Sequence, residues 1–317
     1  MSITSKSPAA VLRAALEVAK QSMPAYSHRC SPKKFTQHQL FACLVLKNFL
    51  KTDYRGVTAQ LQDCSALLNV LGLQQVPHYT TLQKAARRLL ASTPARKLLD
   101  ETVRRQLGRR ERVPLAAIDS TGLECTAASA YFVRRRAKVD GPWKTMVYHR
   151  FPKLAVICDV QSHFILAFGT RRGPKPDVAE FRPLLDDALS RVRLTSIVAD
   201  AGYDSEPNHV HARERCQVRT VIPAKHGRPT TKPAVGRHRR LMQVRFNAKA
   251  YRQRAQVETV MSMIKRRQGA HVRGTTYHSQ CRDLRLMALT HNVMILLRKQ
   301  VFYRASPEPF LPQCGYP

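Results

Sequence analysis

The chain has 317 residues, with 54 Lys plus Arg against 21 Asp plus Glu, a formal net charge of +33, and 44% hydrophobic residues. That length suits one large domain plus a smaller one, and the apolar fraction is enough for packed cores. A surplus of this size repels itself in a compact state unless a polyanion neutralises it, which points to nucleic acid. The charge is spread along the chain rather than set on one amphipathic helix, there is no run of 18 apolar residues, and the N-terminus has no signal-peptide core, so neither a membrane nor secretion is expected.

Residues 1–110 read as an all-helical, strongly basic domain. Val11-Leu12, Ala15-Leu16 and Val18-Ala19 recur at helical spacing until Pro24. A second helix begins near Gln37, a third covers Val57 to Leu71 and stops at Gly72, and another runs from Leu82 to Leu90 with Thr80 or Thr81 as N-cap. Short helices with a capped, basic last member are similar to a helix-turn-helix DNA reader.

The pattern changes at Arg112. Val113 to Ile118 is a short apolar run that ends in Asp119-Ser-Thr-Gly122, which fits a buried strand and a turn. After a basic loop (Arg134 to Arg136, Lys138, Lys144), Lys153 to Asp159 and His163 to Gly169 form a hairpin. Asp177 to Arg191 is a helix, Thr195 to Ala199 a strand ending at Asp200, and a short helix follows Pro207 before the strand Val218 to Pro223. Residues 225–246 read as a basic loop, a helix begins near Asn247, a last apolar helix runs from about Cys281 to Lys299, and 301–317 is a tail. Strands alternating with helices predict an α/β layered domain over residues 111–300, with helices covering a central sheet.

The eight cysteines show no CxxC pair and no zinc spacing with histidine, and read as reduced core thiols of a cytosolic protein. Asp119 and Asp200 each end a buried strand with a glycine within three positions, and α/β sheets bind ligands at the carboxyl ends of their strands. Glu258 is the only acidic residue between Lys225 and Arg267. In one continuous helix, Tyr251, Arg254, Glu258 and Lys265 fall within about 60° of one another, so a carboxylate shares a narrow face with two cations and a phenol. Asp119, Asp200 and Glu258 are therefore candidate ligands for one or two magnesium ions, because hard cations take carboxylate oxygens while phosphates complete the shell. Val257, Val260, Met261 and Ile264 form an adjacent stripe read as core. Asp159 reads as a turn former, Asp204 as a weaker carboxylate candidate, and His149, His163 and His291 as structural. Trp143 reads as a buried anchor more readily than as a base-stacking side chain. Arg134 to Arg136, Arg237, Arg239 and Arg240 read as phosphate contacts.

Asp119-Ser-Thr-Gly, Ala-Asp200-Ala-Gly-Tyr-Asp, and Tyr251-x2-Arg254-x3-Glu258-x6-Lys265 together resemble the DDE transposases of bacterial insertion sequences, the last spacing matching that group's Y-R-E-K signature without a gap. Gly173-Pro-Lys-Pro-Asp177 and the Leu286 to Leu296 segment with His291-Asn292 extend the resemblance over about residues 112–300. It implies an RNase H-like mixed sheet flanked by helices. It also implies a magnesium-dependent polynucleotidyl transferase and endonuclease (manganese could substitute), with two ions on the catalytic ligands Asp119, Asp200 and Glu258, and with Tyr251, Arg254 and Lys265 on DNA phosphates. DNA transposition follows by strand cleavage and strand transfer at terminal inverted repeats, with a homodimer on DNA in the prokaryotic cytoplasm, at the nucleoid. Two alternatives remain at this point: a transposase-derived DNA-binding protein without activity, and an RNase H-like nuclease.

Overall fold

The structure, a computed structural model, describes residues 5–108, 112–125, 151–173, 175–224 and 233–305, with side chains described as far as 296. Arg134 to Arg136, Lys138, Trp143, Lys144, His149 and Cys314 lie outside the described residues, as does 225–232 of the basic loop.

Six helices open the chain: α1 (Pro8–Ser22), α2 (Gln37–Phe49), α3 (Tyr54–Asp63), α4 (Ser65–Leu71), α5 (Tyr79–Leu89) and α6 (Ser92–Leu107). The starts of α1, α2, α3 and α5 are set by side chains that satisfy orphan N–H groups. Ser7 caps α1 with Pro8 in its first turn, and Thr36 and Gln39 form a reciprocal capping box on α2. The single helix expected from Val57 to Leu71 is two, parted at Cys64. It does end at Gly72, whose φ of 62° suits a residue without Cβ. The cap of α5 is His78, whose ring accepts from the Thr80 N–H, rather than Thr80 or Thr81.

The sheet contains β1 (Arg112–Gly122), β3 (Phe151–Asp159), β4 (Ile165–Gly173), β5 (Arg193–Ala199) and β6 (Arg219–Val221) in the order β4-β3-β1-β5-β6. β1, β3 and β4 pair antiparallel, while β1, β5 and β6 run parallel. A separate two-stranded ribbon joins β2 (Glu124–Cys125) to β7 (His271–Val272). Leu154 to Asp159 are buried at every position, so helices cover both faces of the sheet. This is the expected mixed sheet flanked by helices. The covering helices are α7 (Phe181–Leu189) on one flank, with α11 (Ala255–Gln268) and α12 (Tyr277–Ala305) on the other. The shorter α8 (Glu206–Val210), α9 (Arg237–Val244) and α10 (Ala248–Arg252) connect them. Helix α9 lies inside the stretch read as a loop; its His238 and Met242 are buried.

One hydrophobic cluster runs from Val11 on α1 to Ile295 on α12, so the N-terminal helices and the sheet layers share it. Helix α12 makes that join, packing on α1, α2 and α6 as well as on β3 and β4. The thiols of Cys43, Cys158 and Cys281 are buried as expected, but Cys30 is exposed and Cys64, Cys125 and Cys216 are half-buried. Among the described residues no helix is long and apolar enough to cross a membrane.

Candidate active site

Asp119 and Asp200 are placed by strand register. The last parallel pair between β1 and β5 is Ile118 with Ala199, so the two aspartates are the next residues on adjacent strands. They sit where the parallel pairing ends, at the carboxyl edge where open α/β sheets hold ligands. Asp119 does not start a turn, as the sequence suggests. β1 continues to Gly122 because β3 remains its antiparallel partner, from Asp119 opposite Val156 to Gly122 opposite Lys153. Gly122 serves that strand, not a bend: a Cβ there would lie 2.7 Å from the Phe151 ring.

Asp200 does begin a turn. The short 3-10 segment Ala201–Tyr203 follows it, and its carboxylate accepts from the Ala201 N–H at 2.6 Å. Tyr203 is buried and plugs this turn into the core beside Phe181. The Asn208 amide donates to the carbonyls of Tyr203 and Val178, at 3.0 and 2.9 Å, and so pins the turn to the 3-10 segment Asp177–Glu180.

Glu258 projects from the first turn of α11, whose Val257, Val260, Met261 and Ile264 are all buried. The helix carrying it is not continuous with Tyr251. It breaks after Arg252, where Gln253 and Arg254 donate to carbonyls only three residues back, and α11 begins at Ala255. Tyr251 packs on Phe246, with ring centroids 5.1 Å apart. Gln253 and Arg254 keep right-handed helical dihedrals, so the interruption is a tightened turn between the two helices, with Arg254 at the start of α11. The Arg254 guanidinium meets Glu258 at 2.6 Å, lies 3.9 Å from Asp119, and stands 6.0 Å from the Tyr251 ring centre. Lys265 lies two turns beyond Glu258 on α11, about 10 Å away along the axis.

These contacts gather Asp119, Asp200, Glu258, Arg254 and Tyr251 in one region. Burial pushes the Asp119 carboxyl above the usual carboxylate range. The charges of Glu258 and Asp200 add to that push, and the Ser120 N–H and Arg254 oppose it. The three carboxylates do not close into a set with all ligand oxygens inside 4.8 Å; among the described residues only Asp186, His211 and Cys216 do so. The Arg254 guanidinium stands between Asp119 and Glu258.

The donor chemistry fits a hard divalent cation. All three donors are carboxylates, and each aspartate has one oxygen fixed by the next backbone N–H, at 2.7 Å for Asp119 and 2.6 Å for Asp200. Their mutual repulsion is the kind a cation relieves.

Three side chains that the motif reading does not assign brace this edge. Ser120 donates to Asp177 at 2.9 Å, and Lys153 on β3 ion-pairs with the same carboxylate. The signal was present in Gly173-Pro-Lys-Pro-Asp177, but its partners on β1 and β3 are 57 and 24 residues away. Asp204 is not a site carboxylate. Its side chain is fully buried and held by Arg239 at 2.8 Å and His209 at 3.3 Å. The same pair takes Arg239 from the expected phosphate contacts into an internal ion pair. Arg240 donates to the Ala234 carbonyl at 3.0 Å. Asp159 forms the hairpin turn, accepting from the Gln161 and Ser162 N–H groups, and His163 and His291 are structural.

A family model described as transposase DDE domain matches residues 113–293. No curated protein matches the chain. Among solved structures, a piggyBac transposase synaptic complex with hairpin DNA aligns with 96% of this chain and 75% of its own, at 11% identity and a TM-score of 0.47. A Mos1 transposase paired-end complex with the left transposon end aligns with 77% of this chain and 82% of its own, at 13% identity and a TM-score of 0.21.

Proposed function

Because the chain belongs to the transposase DDE-domain family, we propose that it is an insertion-sequence transposase that cuts DNA at transposon ends and joins the freed ends to a target. The observation that carries this reading is the register placing Asp119 and Asp200 side by side, with Arg254 linking Asp119 to Glu258.

In this reading Asp119, Asp200 and Glu258 hold magnesium. When bound, the metal stabilises charge on the attacking and leaving oxygens of a phosphoryl transfer. The protein's own groups position and neutralise. Arg254 exchanges its carboxylate partners for a phosphate of the transposon end, which its planar fork can grip through two N–H groups. Lys265 holds a second phosphate as a point charge, and Tyr251 flanks the strand. Water attacks the phosphodiester at the end and releases a 3′-hydroxyl. That hydroxyl then attacks a target phosphodiester, displacing its 3′-oxygen, without a covalent protein intermediate. The exposed face of α5, with Lys84, Arg87 and Arg88, supplies end recognition. Two ends must be brought together, so the active form is a homodimer on DNA, at the nucleoid.

A pre-cut transposon end incubated with plasmid target and magnesium tests the reading. Joined product is the expected result. Hydrolysis without joining would make the protein an RNase H-like nuclease, and intact DNA held in a stable complex would make it a DNA-binding protein without activity.

A further inference from the structure

A second cluster of ligating side chains lies outside the carboxylate region. Asp186 on α7, His211 in the π-helical turn His211–Arg215, and Cys216 just after that turn bring one ligand atom each within 4.8 Å of the others. The Cys216 sulfur is 3.5 Å from the His211 Nε2 and 3.8 Å from an Asp186 carboxylate oxygen. The His211 Nε2 and that oxygen are hydrogen-bonded at 2.6 Å.

We propose that Asp186, His211 and Cys216 form a binding site for a borderline-soft divalent metal ion of the zinc class. A tetrahedral ion with bonds of about 2.0 Å to nitrogen and oxygen and about 2.3 Å to sulfur separates its donors by roughly 3.3–3.6 Å. Both sulfur separations are close to that spacing already. The shorter nitrogen–oxygen contact is held by a shared proton and opens by less than about 1 Å when an ion takes its place. The donor set is one thiol, one imidazole and one carboxylate. It suits zinc and not magnesium, which takes oxygen donors. Half of the Asp186 side chain is exposed, so the fourth position faces solvent and takes water. The π-helical turn aligns the two ligands: the Cys216 N–H donates to the His211 carbonyl at 3.0 Å, which folds residues five apart onto one side. A bound ion would clip α7 to the segment leading into β6, the edge strand of the sheet. No CxxC pattern announces the site, because Asp186 lies 25 residues before His211.

Cobalt(II) titration of the full chain tests this. Cobalt(II) should give a sulfur-to-cobalt charge-transfer band that zinc(II) abolishes and magnesium leaves intact. The band should vanish in Cys216→Ser, and zinc affinity should fall about tenfold or more in Asp186→Asn, an exposed position that answers the question if the cysteine variant does not fold. Absence of the band from the wild-type chain would overturn the proposal. So would its survival in Cys216→Ser, which places the ion at another thiol, or unchanged zinc affinity in Asp186→Asn. A chain carrying Asp119→Asn, Asp200→Asn and Glu258→Gln should keep the band, so the outcome is independent of the transposase reading.

Discussion

Arg254 is the residue on which the electrostatics of the carboxylate region turn. It is one cation between two carboxylates, 2.6 Å from Glu258 and 3.9 Å from Asp119, and it opposes the upward push that burial gives the Asp119 carboxyl. Arg254→Gln should therefore raise the Asp119 titration midpoint further, read by carboxyl-carbon NMR; an unmoved or lowered midpoint would show that the guanidinium does not hold that charge. The identities of these residues were legible from the sequence because acids are rare in so basic a stretch and because two of them follow apolar runs. Their geometry was not. The tightened turn at Gln253 and Arg254, and the packing of Tyr251 on Phe246, are details that no periodicity encodes. In the same way, Asp204 resembles Asp200 in sequence but is buried against Arg239, 35 residues away.

At the scale of elements, the placement of α11 depends on α12 through the β3–β4 hairpin. The His291 Nε2 donates to the His163 carbonyl at 3.0 Å, and the His163 ring meets the Gln256 side chain at 2.7 Å, two residues before Glu258. Burial pushes His291 down to about 4, so it is neutral in the folded chain. Its folded value lies below the unfolded one, so the unfolded chain takes up this proton first as pH falls. The stabilisation, about 3 kcal/mol, is whole above about pH 6.5 and lost by about pH 4. His291→Gln, which keeps an N–H donor, should flatten the decline in urea midpoint across that window; an equally steep decline would assign it to other groups. The neighbouring Asn292 is fully buried and bonds both the N–H and the carbonyl of Ile165, at 2.9 and 2.8 Å, as well as Thr102 at 3.1 Å. Asn292→Ala leaves the Ile165 N–H and carbonyl without this partner and should cost about 3 kcal/mol in denaturant unfolding; a loss below about 1 kcal/mol would mean that the bonds are replaceable. Strand and helix identities were readable here because apolar runs and caps are local. The length of β1 was not, since a strand continues for as long as a partner does, and β3 begins some thirty residues further on.

For the whole molecule, the net charge of +33 sets the expectation that binding to DNA is dominated by counterion release. Lys265→Ala should weaken end binding across sequences and reduce the slope of log K against log salt by about one unit; an unaltered slope would remove Lys265 from the phosphate contacts. The layered α/β plan and the helical N-terminal region were both legible, because the change from helical to strand patterning at Arg112 is abrupt. The shared core was not legible. Helix α12 packs on α1, α2 and α6, and Gln268 on α11 adds a bridge, accepting from the Asn48 amide on α2 and donating to the Met287 carbonyl on α12. These residues lie as much as 220 positions apart, beyond any local pattern.

The most direct measurement is cleavage and end binding, side by side, for Asp119→Asn, Asp200→Asn and Glu258→Gln in magnesium. The account predicts that all three variants still shift a transposon-end duplex, while cleavage falls at least about a hundredfold in each. Cutting at the wild-type rate by any one of them would show that its carboxylate is not part of the site and would contradict the account.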